Sequence, residues 1–191
     1  VGPKTAAVLV EPIIGEGGVI VPSAGYLRAL REICDRTGAL LIFDEVQTGV
    51  GRTGTLYAYE QLDVTPDLLT SAKGLGGGMP IGALLAREEA ANGFVPGSHG
   101  STFGANPVSC RAALAVLDAL DDGVLDNVVA AGKRLGEHLC ELAGKHAMVK
   151  QARGRGLMCG IEIDRPARPL VERALGYGLI LNATAGTVIR I

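Results

Sequence analysis

The sequence predicts an α/β protein in which a mostly parallel sheet is followed by a smaller α+β unit. Three observations lead there. "AAVLV" (6–10), "ALLIF" (39–43) and "DLLTS" (67–71) are short, continuous apolar runs, as expected of strands covered on both faces. Between the first two, apolar residues recur at helical spacing, giving a strand–helix–strand unit with a right-handed crossover. After Asn106 the order changes, because two helical stretches come together before any further strand.

In chain order, "AAVLV" is the first strand. Ser23 is placed to cap a helix that buries Tyr26, Leu27, Leu30, Ile33 and Cys34 and ends near Gly38. "ALLIF", "DLLTS" and "IGALLA" (81–86) continue the sheet. A helix is expected from about Asn106 to Leu120 and, after "DDG", another from about Val124 to Ala143. "MVKQAR" and "LMCGIEI" read as two strands separated by "GRG", then a helix near 167–175, a strand "LILN" (179–182) and a final run "TVIRI". The division expected is 1–119 for the rear of a large domain and 120–191 for part of a small C-terminal one.

Composition narrows the function. The chain has 191 residues, is 48% hydrophobic and only 4% aromatic with no Trp, so its core must be aliphatic. A formal charge of -2 offers no electrostatic grip on nucleic acid or an anionic membrane. No run of eighteen apolar residues and no leader pattern occurs, so a cytoplasmic protein is expected. Cys34, Cys110, Cys140 and Cys159 form no C-x-x-C pair, and buried reduced thiols are expected. His99, His138 and His146 are scattered without acidic partners, so no metal site is expected. The lack of an initiator Met and the abrupt ends suggest a piece of a longer protein. The 28 glycines, about twice the usual share, cluster where backbone turns tightly or approaches a ligand.

Two glycine-rich motifs compete for the chemistry. "GVGRTG" (49–54) fits the dinucleotide fingerprint, but five residues separate it from the strand and only a short helix fits before Pro66. In "TSAKGLGGGMPIGA" (70–83) a lone Lys follows a buried strand. It is no P-loop, since no Gly stands directly before Lys73 and no Ser or Thr directly after it. An isolated Lys at a strand end is commonly a solvated terminator. Residues just past the carboxyl ends of neighbouring parallel strands converge on one crevice, however, which brings Lys73 towards Asp44 of "FDEV". A buried carboxylate needs compensation. One joint use of the two is known: Lys forms a Schiff base with pyridoxal phosphate, and the carboxylate keeps the pyridine nitrogen protonated.

"VEPIIGEGG", "FDEVQTGVGRTG", "SAKGLGGGMPIGA", "GSTFGANP" and "VIRI" together resemble the class III pyridoxal-phosphate aminotransferases, and within them the acetylornithine aminotransferases. The resemblance implies fold type I of the pyridoxal-phosphate enzymes, with Lys73 as Schiff-base lysine and proton carrier. It further implies Asp44 at the ring nitrogen, Val46 on one ring face and Gln47 near the ring hydroxyl. Thr102, with Ser101 beside it, would reach the phosphate of a neighbouring subunit's cofactor, implying a homodimer. Read alone, Ser101 and Thr102 make a turn before a helix. Glu16 and Arg190 resemble the switch pair in which the Arg grips the α-carboxylate of glutamate or 2-oxoglutarate and the Glu neutralises it when an ω-amino donor enters. Read alone, they are a turn decoration and an edge-strand charge.

"GAN" (104–106) departs from the Gly-Gly-Asn common in the family, so Ala105 is expected to have negative φ. The family's upstream phosphate cup, its ring-stacking aromatic residue and its terminal Pro-Pro stretch have no counterpart here. The implied reaction is ping-pong transfer of the terminal amino group of N-acetylornithine to 2-oxoglutarate, a step of arginine biosynthesis. Ornithine or 4-aminobutyrate aminotransferase and glutamate-1-semialdehyde aminomutase are the alternatives inside the class. An NAD-binding dehydrogenase and an inactive fragment are the alternatives outside it.

Overall fold

A computed structural model describes residues 1–191. Strands β1 (Ala7–Val10), β2 (Leu40–Asp44), β3 (Leu68–Ser71) and β4 (Ala83–Ala86) form one sheet in that order. β1, β2 and β3 are parallel, and β4 turns back antiparallel along the edge of β3. The apolar runs therefore mark the strands, and the sheet is mixed but mostly parallel, as expected of the fold class.

Helix α1 (Tyr26–Thr37) makes the β1–β2 crossover and covers one face. Leu27 and Cys34 from the helix, Ala39, Leu41 and Phe43 from β2 and its approach, and Val64 form that core. Tyr26, expected inside, is 45% exposed. Ser23 does not cap the helix: Gly25 does, in a left-handed conformation and with no side-chain cap bond, while Gly38 closes the other end at φ 72. The opposite face carries Leu9, Leu40, Ile42, Asp44, Leu68, Thr70 and Leu84 by register, and Leu9 and Leu84 there are largely exposed.

A short turn of helix, α2 (Glu88–Ala91), follows the first sheet, and α3 (Pro107–Ala119) opens with Pro107 after an Asn106 cap. The chain stays coiled through Leu120–Val124, with Asp122 and Gly123 out of helical geometry, then enters α4 (Leu125–Lys145). The second sheet is antiparallel, ordered β5 (Val149–Arg155), β6 (Met158–Ile163), β8 (Val188–Arg190), β7 (Asn182–Thr184), with α5 (Arg168–Leu175) between β6 and β7. Leu139 of α4 packs on Cys159, Ile161 and Ile163 of β6.

Four expectations shift here. β5 runs through most of "GRG", which leaves only a tight reversal at Gly156 and Leu157. "LILN" is mostly not strand: Leu179 and Ile180 are exposed, and pairing starts at Asn182, where β8 supplies its partner. Ala105 has φ 55, not a negative value, so Ala replaces Gly here without abolishing the left-handed turn. All four cysteines are free, but only Cys34 and Cys159 are buried; Cys140 is exposed. No helix is long and apolar enough to cross a membrane.

The two sheets meet through backbone. A Cβ on Gly156 would stand 2.6 Å from the Thr53 carbonyl carbon, and one on Gly132 of α4 would stand 2.8 Å from Gly156. Three backbones thus touch where side chains would hold them apart, and Gly156 also needs its φ of 57. Gly156→Ala should cost about 2 kcal/mol or more, since it adds overlap to the left-handed penalty. Gly123→Ala, with φ 88 and open space around it, should lose only the penalty. Thermal unfolding of both variants checks this, and equal losses would mean that the contact is slack.

Candidate active site

The site is assembled at the carboxyl ends of β2 and β3. Asp44 pairs with Thr70 across these strands, and Lys73 follows β3 by two residues. Lys73 opens the turn Lys73–Gly76 with φ 46, a conformation that costs a non-glycine residue roughly 1–2 kcal/mol. The turn carries Lys73 out of the sheet and onto the lining of a cleft of about 530 Å³. Val46, Gln47, Val50 and Arg52 form one wall of it, Leu157, Met158 and Ile180 another, and Arg190 closes the end. That volume suits a small molecule.

Asp44 does not line the cleft, although Val46, two residues further on, does. Its Oδ1 accepts from the Val46 N–H at 3.0 Å and from the Thr70 hydroxyl at 3.1 Å, and no lysine, arginine or histidine forms an ion pair with it. Its neighbour Glu45 points the other way and is completely buried. The Glu45 carboxylate accepts from the Thr48 hydroxyl at 2.6 Å, the Ala58 N–H at 2.9 Å and the Tyr59 N–H at 2.8 Å. Burial pushes its pKa up, and those three bonds pull it partly back.

At the far end Arg190 forms an ion pair with Glu16 through Nη1, and the same nitrogen donates to Gln47 Oε1 at 3.0 Å. Gln47 lies flat on Gly15, where an added Cβ would come within 2.6 Å of the amide carbon. Thr184 of β7 donates to the Glu16 carbonyl, tying the turn that carries Glu16 to the second sheet. Arg190 is one quarter exposed and Glu16 two thirds, so the pair sits in a wet mouth rather than a sealed core.

Ser101 and Thr102 are not at this cleft. They lie on an exposed loop before α3, where Ser101 Oγ accepts from the Gly104 N–H at 3.0 Å, and Asn106 is the residue that caps the helix. "GVGRTG" is followed only by a short turn, Ala58–Gln61, which supplies no helix N-terminus for a dinucleotide.

The whole chain, residues 1–191, matches the family model for class III aminotransferases. The chain belongs to that family. It is 52% identical over 188 residues to an acetylornithine aminotransferase of Corynebacterium efficiens and 51% identical over 187 residues to that of Aquifex aeolicus. Both matches cover 98% of this chain but 46% and 48% of those proteins, so the chain spans about half the length of these curated relatives. Among solved structures, an ornithine aminotransferase from Toxoplasma gondii superposes with a TM-score of 0.93 at 40% identity, covering 99% of this chain and 46% of that one. An acetylornithine aminotransferase from Elizabethkingia anophelis gives 0.91 at 40% identity, with 97% and 48% covered.

Within this class III chain, the sequence reading underrated two residues. Glu45, the second acid of "FDEV", is a buried anchor, a role signalled only by its place just past a buried strand. Thr70 looked like ordinary strand and touches Asp44.

Because the folded-state pKa of Glu45 is raised, its contribution to stability is fully present below its unfolded value near 4.5 and is lost as pH rises through the higher folded value. Glu45→Gln removes that titration along with one acceptor. The stability advantage of the parent over the variant should therefore shrink as pH rises from about 4 into the neutral range. Parallel urea titrations across that range test this, and an advantage that grows with pH would show a depressed pKa instead.

Proposed function

We propose that this chain is part of an acetylornithine-type transaminase that uses pyridoxal 5'-phosphate to move a terminal amino group to 2-oxoglutarate. The observation that supports it best is the placement of Lys73 and Arg190 on one cleft, with the guanidinium already gripped by Glu16 and Gln47. The names of relatives near 50% identity favour acetylornithine as donor; the Toxoplasma structure keeps ornithine as the second reading.

The donor set suits the cofactor. A primary amine at a cleft, a carboxylate with no cation of its own in the chain, and an apolar wall at Val46 are what an aldehyde, a pyridine nitrogen and a ring face require. When bound, pyridoxal phosphate supplies a carbonyl carbon that links amines covalently and a ring that accepts the electron pair released as a proton leaves the donor carbon. Lys73 Nζ would hold the cofactor and carry that proton. Asp44 would keep the ring nitrogen cationic, Val46 would pack on one ring face, and Gln47 would lie near the ring hydroxyl. Arg190 binds the α-carboxylate of glutamate or 2-oxoglutarate, and Glu16 occupies Arg190 while the ω-amino donor is bound.

Ser101 and Thr102, exposed and away from this cleft, suit the reading in which they meet the phosphate of a cofactor in a second copy of the protein. The division 1–119 and 120–191 agrees with the two separate sheets and the break at Asp122 and Gly123. An arginine-biosynthetic enzyme of the cytoplasm accommodates all of this.

In the holoenzyme, Lys73→Ala should reduce turnover to a trace, because covalent attachment and proton carriage are lost together. Asp44→Asn should keep the fold but slow proton abstraction severely. Single-turnover kinetics with N-acetylornithine decide it; near-normal rates in Lys73→Ala would transfer the role to another lysine.

The Glu16–Arg190 contact generates a separate expectation. Glu16→Ala should favour the glutamate half-reaction over that of the ω-amino donor, and Arg190→Ala should weaken glutamate use roughly ten- to a hundredfold with less effect on the donor. Each half-reaction is measured alone in both variants. Equal slowing of both halves by Glu16→Ala would reduce Glu16 to a turn residue.

A further inference from the structure

Asp44 is held asymmetrically. Both hydrogen bonds that it accepts, from the Val46 N–H and the Thr70 hydroxyl, end on Oδ1, and neither involves Oδ2. The Val46 bond is local and closes the turn after β2. The Thr70 bond is of another kind, because it crosses from β3 and exists only while Asp44 and Thr70 stay in register. Thr70 comes three residues before Lys73, so one strand end carries both the amine and the hydroxyl that steadies the carboxylate. The pair lies on the face of the first sheet opposite α1, whose core is formed by Leu41 and Phe43. A lone carboxylate there rotates about its last side-chain bond, and two donors on one oxygen remove that freedom.

Resting on the reading of Asp44 as the partner of the cofactor's ring nitrogen, we propose that Thr70 is a positioning residue that fixes Asp44 through Oδ1 and leaves Oδ2 as the oxygen offered to the ring. Its hydroxyl is suited to this in two ways. A β-branched side chain on a strand is stiff, so the donor is already in place before the cofactor arrives. A hydroxyl also has a single proton to give, so while it bonds Oδ1 it makes no claim on Oδ2. Serine would keep the donor with less stiffness. Valine would keep the shape without the donor.

The test uses the holoenzyme and reads cofactor affinity and the pH titration of the cofactor's visible absorption band, neither of which needs turnover. Thr70→Val should weaken pyridoxal phosphate binding about tenfold, as expected from losing one charge-assisted hydrogen bond, and should displace the pH midpoint of the band. Thr70→Ser should restore most of both. Asp44→Asn should change both more than Thr70→Val does. If Thr70→Val matches the parent in affinity and midpoint while Asp44→Asn does not, Thr70 is an ordinary strand residue and the proposal falls. If Asp44→Asn also matches the parent, the ring-nitrogen reading itself is wrong. Should Thr70→Val fail to fold, Thr70→Ala and Thr70→Ser replace it: the proposal requires Ser to behave like the parent and Ala to lose affinity, and equal behaviour of the two overturns it.

Discussion

The buried carboxylate of Glu45 is the constraint on which the site's geometry rests. A parallel strand ends at Asp44, and the chain must then travel from residue 45 to residue 67 without a full helix before it can re-enter the sheet. That loop has apolar anchors at Tyr57, Ala58 and Val64. Glu45 provides one of a different kind, by receiving the free N–H groups at the start of the Ala58–Gln61 turn and the Thr48 hydroxyl. It is stabilised by dipoles rather than by a cation, which is how a carboxylate with no salt bridge remains tolerable in an interior. The loop that it pins carries Val46, Gln47, Val50 and Arg52, the whole of one cleft wall.

The opposite wall comes from the second sheet, which is brought to the first by contacts that side chains would prevent. Gly156 rests on Thr53, Leu157 donates its N–H to the Arg52 carbonyl at 3.0 Å, and Met158 packs with Ile13 and Val19. Arg153 donates to the carbonyls of Gly18 and Val19, which clamps the segment that presents Glu16. β8 then delivers Arg190 next to Glu16, although 174 positions separate the two in sequence. The Glu16–Arg190 contact is thus a product of tertiary structure, and it depends on both sheets being seated.

This explains which features were legible in the sequence. Continuous apolar runs mark buried strands, so β1, β2 and β3 could be read directly, and a helical period marks α1. Lys73 and Asp44 could be placed at the same edge of the sheet because parallel strands end on one side, a rule of topology that needs no coordinates. What could not be read depended on partners distant in the chain. Strand β7 begins at Asn182 and not at the apolar residues 179–181 before it, because pairing to β8 decides it and apolarity does not. Gly25 displaced Ser23 as the cap of α1 because the chain enters through a left-handed turn that Ser23 is too early to terminate. The same held for Ala105, whose turn is fixed by its surroundings and overrides the preference of its side chain.

Glu45 and Thr70 escaped detection for a related reason. A buried carboxylate and a strand threonine have ordinary side chains, and their meaning lies in which atoms receive which hydrogens. Two acids adjacent in sequence point to opposite sides of the chain and have opposite uses. Glu45 spends both oxygens on the protein and has nothing left for a ligand, whereas Asp44 spends one and keeps the other. In a half-buried position, an oxygen left without a protein partner retains its electrostatic appetite for a donor. A cationic N–H satisfies it better than water does, because the Coulomb term grows as solvent is excluded. The difference between the two carboxylates therefore follows from hydrogen-bond accounting at four oxygen atoms: Asp44, and not its neighbour, keeps an oxygen without a protein partner.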